Sequence, residues 1–213
     1  MIKIKKFVFN PFQVNTYLLF DDADNEAYII DAACSDKNEK SELLDFIEKR
    51  NLKIKALINT HCHVDHLLGV QELREIFNVD FYCSEPDQFL IDNSVAQGEF
   101  FGLRVNKPGP PDKYLVEGET LKLGESKIQV FQVPGHSPGS LIYYLENENI
   151  MFTGDVLFQG SIGRTDLPGG NYQKLVTGIQ QKIMNLSDSI ELFPGHGPST
   201  TIGQEKLTNP FLQ

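Results

Sequence analysis

Apolar and polar positions alternate with the period of a β-strand at several places along the chain. Near the start, "IKIKKFVF" alternates, "NTYLLF" and "AYIID" are rich in β-branched and aromatic residues, and "DDADN" forms a turn between them. Apolar runs of strand length follow in "KIKALINT", "VDFYC", "ETLKLG", "SKIQVFQV", "SLIYYLE", "NIMFTG" and "SIELFPG". The pattern therefore predicts two successive groups of strands.

Segments with helical spacing separate these strands. "SDKNEKSELLDFIEKR" predicts a helix with Ser35 or Asp36 as its cap and with Leu43, Leu44 and Ile47 on one face. Three more helices are predicted, over "HLLGVQELREIF", in the region of "EPDQFLIDNSVA" and over "YQKLVTGIQQKIMNL". No clear helix is predicted after the third. Strands that alternate with helices indicate an α/β domain whose sheets are covered by helices. No linker interrupts the pattern, so we expect a single domain over residues 1–213.

Composition narrows the class of protein. The 213 residues are 40% hydrophobic and 23% charged, which suits a domain with a sizeable core. No apolar run approaches the ~20 residues needed to span a bilayer, and the first twenty residues resemble a strand more than a signal peptide. The three cysteines are too few for a disulfide framework. We therefore expect a cytoplasmic protein without a membrane partner.

The formal net charge of −10 argues against a nucleic-acid partner, because a polyanion needs a basic surface. Charge of this size is compatible with a small-molecule substrate and with simple solubility. The sequence does not determine the oligomeric state.

Three of the five histidines lie within six residues, in "NTHCHVDHLLG". They directly follow a predicted strand, and loops at strand ends often present functional side chains from a rigid scaffold. In an extended turn, His61 and His63 point the same way and can converge on one cation. Asp65 and His66 enter the next helix and can turn toward another. Imidazole and carboxylate together suit Zn²⁺ and also Fe or Mn.

The other two histidines also follow apolar strands. His136 lies in "VPGHSPGS" and His196 in "FPGHGPS", each after a Pro-Gly turn, and Asp155 ends the strand in "MFTGDVLF". Taken singly, each is more often a hydrogen-bonded loop or turn residue than a metal ligand. Because all five histidines lie in such loops, the joint pattern indicates a metal site.

These motifs carry a family resemblance. In order along the chain, "THCHVDH", "PGHSPGS", "TGDVLF" and "PGHGPST" resemble the metallo-β-lactamase-fold hydrolases. More narrowly, "GDVLFQGSIGRTDLPGG" and the ending "PGHGPSTTIGQEKLTNPFL" resemble the glyoxalase II-like, or hydroxyacylglutathione hydrolase-like, bacterial members. The resemblance covers essentially the whole chain. It implies a four-layer αββα sandwich with a two-metal centre on the rim between its two sheets.

The resemblance also implies roles for individual residues. It assigns His61, His63 and His136 to a first metal, Asp65, His66 and His196 to a second, and Asp155 to a bridge between them. Asp31, in "IIDAA", would orient the ligand histidines, although as an isolated residue it is equally well a turn residue.

A two-metal site of this kind implies hydrolysis. A bound metal can lower the pKa of water from 15.7 to about 7, so a hydroxide held by two metals can attack an acyl carbonyl. Asp65 or Asp155 would accept its hydrogen bond. A thiolate, whose parent thiol has a pKa near ~8.5, leaves without a separate acid. We therefore expect a two-metal hydrolase that cleaves a thioester or a related ester in a small acyl substrate, with Zn²⁺ as the expected metal and Fe or Mn as alternatives.

Departures from the family leave glutathione open as the thiol. Full-length relatives carry a C-terminal helical domain that helps to bind glutathione, but only "TTIGQEKLTNPFLQ" is expected to follow the last motif here. "QGSIGRTDLPGG" also replaces a lysine-containing glutathione motif. Arg164 is a candidate for binding an anionic substrate group, or else pairs with Asp166. We expect Phe12 and Tyr17 in the core, with the mouth of the pocket as the alternative.

The alternative function is that of a persulfide dioxygenase of the same fold. Such relatives share the "GRTD" motif and use one Fe(II), here held by His61, His136 and Asp155. His66 and His196, which would complete a second metal site, favour the hydrolase. β-Lactamase activity is disfavoured because those enzymes are typically secreted.

Overall fold

The computed structural model describes residues 1–213 and contains fourteen β-strands and six α-helices. The strands are β1 (Ile2–Phe9), β2 (Val14–Asp21), β3 (Glu26–Ile30), β4 (Lys53–Ile58), β5 (Asp80–Cys83), β6 (Lys113–Tyr114), β7 (Thr120–Leu123), β8 (Ser126–Gln132), β9 (Leu141–Leu145), β10 (Ile150–Gly154), β11 (Leu157–Phe158), β12 (Ser161–Ile162), β13 (Glu191–Pro194) and β14 (Thr200–Thr201). The helices are α1 (Lys37–Lys49), α2 (Val70–Phe77), α3 (Gln88–Asp92), α4 (Ser94–Phe100), α5 (Tyr172–Lys182) and α6 (Ile202–Thr208).

Twelve of the strands form two six-stranded sheets. The first has the order β1-β2-β3-β4-β5-β6 and the second the order β14-β13-β10-β9-β8-β7, while β11 and β12 form a separate hairpin. In the first sheet, β1 to β3 are antiparallel and β3 to β6 are parallel. The change follows from the connections, because tight turns join antiparallel strands, whereas α1 and α2 provide the crossovers that parallel strands need.

Three core clusters separate four layers. One packs the first sheet against α1 and α2, with Leu43 and Leu73 among its residues. A second lies between the sheets and includes Tyr17 and Tyr143, and a third packs the second sheet against α5 through Leu175. Helix, sheet, sheet and helix therefore follow one another, which confirms the predicted αββα sandwich. None of the helices has the length and apolar composition needed to cross a membrane.

Position in the sheet explains the differing strand patterns. Every residue of β2 is buried, because one face of this strand contacts the helices and the other contacts the second sheet. By contrast, β1 is an edge strand and keeps the alternation seen in the sequence.

The predicted helices are confirmed with changes in their bounds. The α1 helix begins after Asp36, whose carboxylate accepts hydrogen bonds from the backbone N–H groups of Asn38 and Glu39. The α2 helix begins only at Val70, and the helix expected around "EPDQFLIDNSVA" is divided into α3 and α4. The prediction missed α6, which is capped by Thr201.

Candidate metal centre

The strand-end loops bring their histidines and aspartates together at one rim of the sandwich. The loops follow β4, β8, β10 and β13, so the side chains come from both sheets. Their ligand atoms form three overlapping groups, in each of which all atoms lie within 4.8 Å of one another. These seven side chains, termed the histidine–aspartate cluster, are His61, His63, Asp65, His66, His136, Asp155 and His196.

The first group consists of His61, His63 and His136, which the family resemblance assigned to one metal. His136 Nε2 lies 2.8 Å from His63 Nδ1 and 3.2 Å from His61 Nε2. The far nitrogen of His136, Nδ1, donates to the carbonyl oxygen of Arg164 at 2.8 Å. Because that nitrogen carries the proton, Nε2 presents a lone pair to its neighbours. Facing lone pairs repel unless they share a cation or a proton, so this group fits a metal ion.

The second group consists of Asp65, His66 and His196. The Nε2 atoms of the two histidines are 3.3 Å apart, and Asp65 Oδ2 lies 3.7 Å from that of His66 and 3.5 Å from that of His196. His196 Nδ1 donates to the carbonyl oxygen of Phe12 at 3.0 Å, which turns Nε2 inward. One carboxylate and two imidazoles therefore converge on one place.

Asp155 lies between the two groups. Its Oδ1 is 3.6 Å from His66 Nε2, and its Oδ2 is 3.6 Å from His136 Nε2 and 3.4 Å from His196 Nε2. The lack of a side chain at Gly195 allows this placement, since a Cβ there would lie only 2.2 Å from Asp155 Oδ1. The carboxylate is therefore placed to contact cations in both groups.

The two groups differ in protonation. Burial holds the pKa of His61 well below its ordinary value and lowers the pKa of His63 to about 4. Burial also opposes the charge on His66 and His196, but the adjacent carboxylates outweigh it. They raise the pKa of His66 to about 9 and the pKa of His196 to about 11. The carboxylates around the second group therefore favour positive charge there even without a metal ion.

The donor set fits a pair of divalent cations. Three buried polar atoms of the cluster, His63 Nε2, His66 Nδ1 and Asp155 Oδ1, have no hydrogen-bond partner within the protein. His66 Nδ1 faces the Asp31 carboxylate, but the other two are costly unless another group satisfies them. Imidazole nitrogens with carboxylate oxygens suit Zn²⁺, and they also suit Fe or Mn. The cluster therefore supports divalent-metal binding without choosing among these metals.

Asp31 contacts the cluster from behind. It is buried at a positive φ of 53°, and its carboxylate accepts hydrogen bonds from the backbone N–H and the hydroxyl of Thr60, each at 2.7 Å. Its Oδ2 also lies 3.0 Å from His66 Nδ1. This position leaves the opposite nitrogen of His66 facing the cluster, and the orienting role of Asp31 stays a prediction.

Asp87 is a buried carboxylate that the sequence analysis missed. Its Oδ2 accepts from the backbone N–H of Cys62 at 3.0 Å and from the hydroxyl of Ser137 at 2.9 Å, and its Oδ1 accepts from the N–H of Gly139 at 2.7 Å. The carboxylate thus connects the loop of His61 and His63 to the loop of His136. One available signal was its place in "SEPD", just after β5, similar to that of Asp31 after β3.

Arg164 lies at the wall of the site. Its guanidinium group forms two hydrogen bonds to the carboxylate of Asp166, at 2.8 and 2.7 Å. This is the structural pair that the sequence offered as one of two interpretations. Contact between Arg164 and a substrate stays a prediction. Cys62 is fully buried, which raises the pKa of its thiol well above the usual range, and it is therefore unsuited to redox chemistry.

A cavity of about 620 Å³ opens beside the cluster. Four phenylalanines line it, and we term Phe12, Phe89, Phe100 and Phe101 the phenylalanine wall. The expectation that Phe12 belongs to the core is therefore wrong, because the turn after β1 carries its ring out to the cavity with 37% exposed. Tyr17 is buried as expected, and its hydroxyl donates to the carbonyl oxygen of Pro194 at 2.7 Å.

Comparison with known proteins agrees with this site and fold. The metallo-beta-lactamase superfamily matches residues 9–196, and the chain belongs to that superfamily. It is 42% identical over 203 residues to the hydroxyacylglutathione hydrolase GloC of Haemophilus influenzae, an alignment that covers 94% of this chain and 93% of that protein.

Two solved structures are also similar over almost the whole chain. The BLEG-1 B3 metallo-beta-lactamase has a TM-score of 0.90 at 36% identity, with 99% of this chain and 100% of that chain covered. TTHA1623 in a di-iron-bound form has a TM-score of 0.87 at 35% identity, with 98% and 100% covered. The expected family and fold are confirmed, and the protein is an enzyme of the metallo-beta-lactamase superfamily.

Proposed function

We propose that this protein is a thioester hydrolase with two divalent metal ions, of which Zn²⁺ is the metal we expect in the cell. The observation that carries the proposal is the position of the Asp155 carboxylate between two groups of three ligands. Similarity to a protein named hydroxyacylglutathione hydrolase supports it, because that relative is matched over 93% of its length.

The residues at the cavity define what the protein contributes to the reaction. Metal ions held by the cluster would supply Lewis acidity, which acidifies water and polarises a carbonyl near neutral pH. Although burial alone would raise the pKa of Asp65 and Asp155, neighbouring positive histidines hold both below the ordinary value. Both carboxylates line the cavity and are ionised at neutral pH. They can therefore accept a hydrogen bond from water and orient it toward an acyl carbon.

The remaining polar side chains of the cavity favour a thiol as the leaving group. Apart from the cluster, they are Asn93, Gln97 and Arg164, none of which can donate a proton at neutral pH as an acid. An amine leaving group needs such a proton, whereas a thiolate, with a parent pKa near ~8.5, leaves without one. The lining of the cavity therefore supports thioesters over amides.

The deciding experiment compares metals and substrates in one protein preparation. Metal-free protein is reloaded with Zn²⁺, Fe²⁺ or Mn²⁺ and offered an S-acyl glutathione, a lactone, a β-lactam and glutathione persulfide. We expect the zinc-loaded protein to release thiol from the thioester without oxygen, and to consume no oxygen with the persulfide. The β-lactam belongs in this panel because of the similarity to BLEG-1.

One alternative has support from the geometry. His61, His136 and Asp155, the three ligands expected for a persulfide dioxygenase, also lie together, and one similar structure holds iron. Oxygen consumption with persulfide by the iron-loaded protein, together with intact thioesters, would overturn the hydrolase and establish that alternative. Hydrolysis of the β-lactam alone would overturn both.

A further inference from the structure

The exposed phenylalanines of this protein are concentrated at one place. The chain has 15 phenylalanines, of which five are exposed, and four of those five form the phenylalanine wall of the cavity. Exposed apolar groups that cluster in this way mark a binding surface more often than scattered ones do. The concentration therefore points to an apolar ligand at the wall.

Three segments build this wall. Phe12 comes from the turn between β1 and β2, Phe89 from α3, and Phe100 and Phe101 from the end of α4. The ring of Phe101 contacts the rings of Phe12 and Phe100 edge-to-face, with centroid distances of 5.3 and 5.1 Å. Since side chains that pack on one another hold their positions, the three rings present one continuous apolar surface.

The cavity has no free cation for a charged ligand outside the histidine–aspartate cluster. Arg164 is the one lysine or arginine in its lining, and its guanidinium is already paired with Asp166 through two hydrogen bonds. The chain also carries a net charge of −10, which repels polyanions. A thiol that is recognised through several carboxylates or phosphates lacks partners here.

We propose that the substrate carries an uncharged apolar group, either an alkyl chain of several carbons or an aryl ring, that packs against the phenylalanine wall. The inference rests on the proposed thioester hydrolase and names the class of its substrate. Either half of a thioester, the acyl group or the thiol, can carry this apolar group. The ligand chemistry is the same in both cases, and experiment can separate them.

The test uses two series of thioesters with the zinc-loaded protein. The acyl series places acetyl, butanoyl, hexanoyl and phenylacetyl groups on N-acetylcysteamine, and the thiol series places acetyl on N-acetylcysteamine, hexanethiol, benzyl mercaptan and glutathione. Burying one methylene changes binding about fourfold. We therefore expect kcat/KM to rise by about 250-fold over the four methylenes from acetyl to hexanoyl if the acyl group contacts the wall. If the thiol contacts the wall, kcat/KM should instead rise from N-acetylcysteamine to hexanethiol, in which methylenes replace the polar amide.

Variants assign the effect to the wall. Phe101→Ala should reduce the gain per methylene to less than twofold, and Phe101→Leu should keep most of it, because leucine retains apolar area. Phe211→Ala is the matched control, since Phe211 is about as exposed as Phe101, at 42% against 48%, and does not line the cavity. The control should keep the full gradient. Equal loss in Phe211→Ala would overturn the role of the wall.

A binding measurement separates this inference from the proposed function. Calorimetry with two uncleavable thioethers, S-hexyl and S-methyl N-acetylcysteamine, should show tighter binding of the hexyl compound to the metal-free protein. If no thioester is cleaved, the proposed function is wrong, whatever the thioethers show. If thioesters are cleaved but both series are flat, or if glutathione with a short polar acyl group is the best substrate, the hydrolase stands and the apolar substrate is wrong.

Discussion

Asp155 is the side chain whose two carboxylate oxygens face both groups of the histidine–aspartate cluster. Asp155→Asn keeps its size but removes the negative charge that would offset two adjacent cations. We expect this variant to lose one metal and to lose thioester turnover by about a hundredfold or more, in line with the loss of a group that holds charge in the transition state. Metal analysis and thiol release measure the two effects. Full metal content with near-normal turnover would remove Asp155 from the bridge.

Asp87 acts on the same cluster through the backbone. Its carboxylate pairs two buried N–H groups and one hydroxyl in the two loops that carry the first group. In Asp87→Ala these donors lose their partner, at a cost of about 1–3 kcal/mol for each unpaired group. We expect a lower melting temperature and a metal affinity reduced by about 10–100-fold, as for other groups that orient ligands.

A chelator competition and a thermal melt check the Asp87 prediction. Asp188→Ala is the matched control, because that carboxylate is exposed and forms its ion pair with Lys206 at the surface, away from the cluster. Its metal affinity should equal that of the unchanged protein. If Asp87→Asn, which keeps one acceptor oxygen, restores stability without restoring affinity, then the charge as well as the geometry matters.

The strands and helices form their cores without the cluster. None of the five histidines belongs to the three core clusters, which are built from apolar residues of the sheets and helices. We therefore expect His136→Ala and His196→Ala to remain folded, with native circular dichroism, while metal content falls. A variant that binds two metals as well as the unchanged protein does would exclude that histidine as a ligand.

The expectation that these side chains can be replaced without unfolding follows from their place in loops at strand ends. Each loop begins where a strand leaves its sheet, so a change there removes no ladder hydrogen bond and little buried apolar area. The sequence predicted this arrangement correctly, because strand periodicity and the following Pro-Gly turns are local features. It misjudged α2 and α4, whose bounds depend on where the chain must turn back against the first sheet.

The folded molecule as a whole sets the charge on its buried histidines, and this charge predicts how metal loading depends on pH. At pH 7 in the metal-free protein, His66 and His196 carry protons, because the pKa of His66 is raised to about 9 and that of His196 to about 11. Only neutral imidazole binds a cation, so filling the second group releases up to two protons. Metal affinity at this group should therefore rise by about a hundredfold per pH unit up to about 9, where two protons are released, and by about tenfold per pH unit from there to about 11, where one is released.

Calorimetry in buffers of different ionisation enthalpy counts the released protons. The first group offers an internal contrast, since the lowered pKa values of His61 and His63 leave both neutral at pH 7. Its loading should release fewer protons. Loading of both metals at pH 7 with no release at all would show that the second group is already neutral.

The identity of the cluster was accessible from the sequence, whereas its mutual orientation was not. Residue types and spacing within "THCHVDH" and the two Pro-Gly-His motifs are local, and so is the alternation that predicts strands. The partners of Asp87 lie 25 residues away at Cys62 and 50 residues away at Ser137, and Phe12 meets Phe101 only across the cavity. The sequence alone therefore determined which residues can bind metal. Contacts between distant segments depend on how the two sheets pack. For that reason, only the tertiary structure decided which nitrogens face inward and which aromatic rings form the wall.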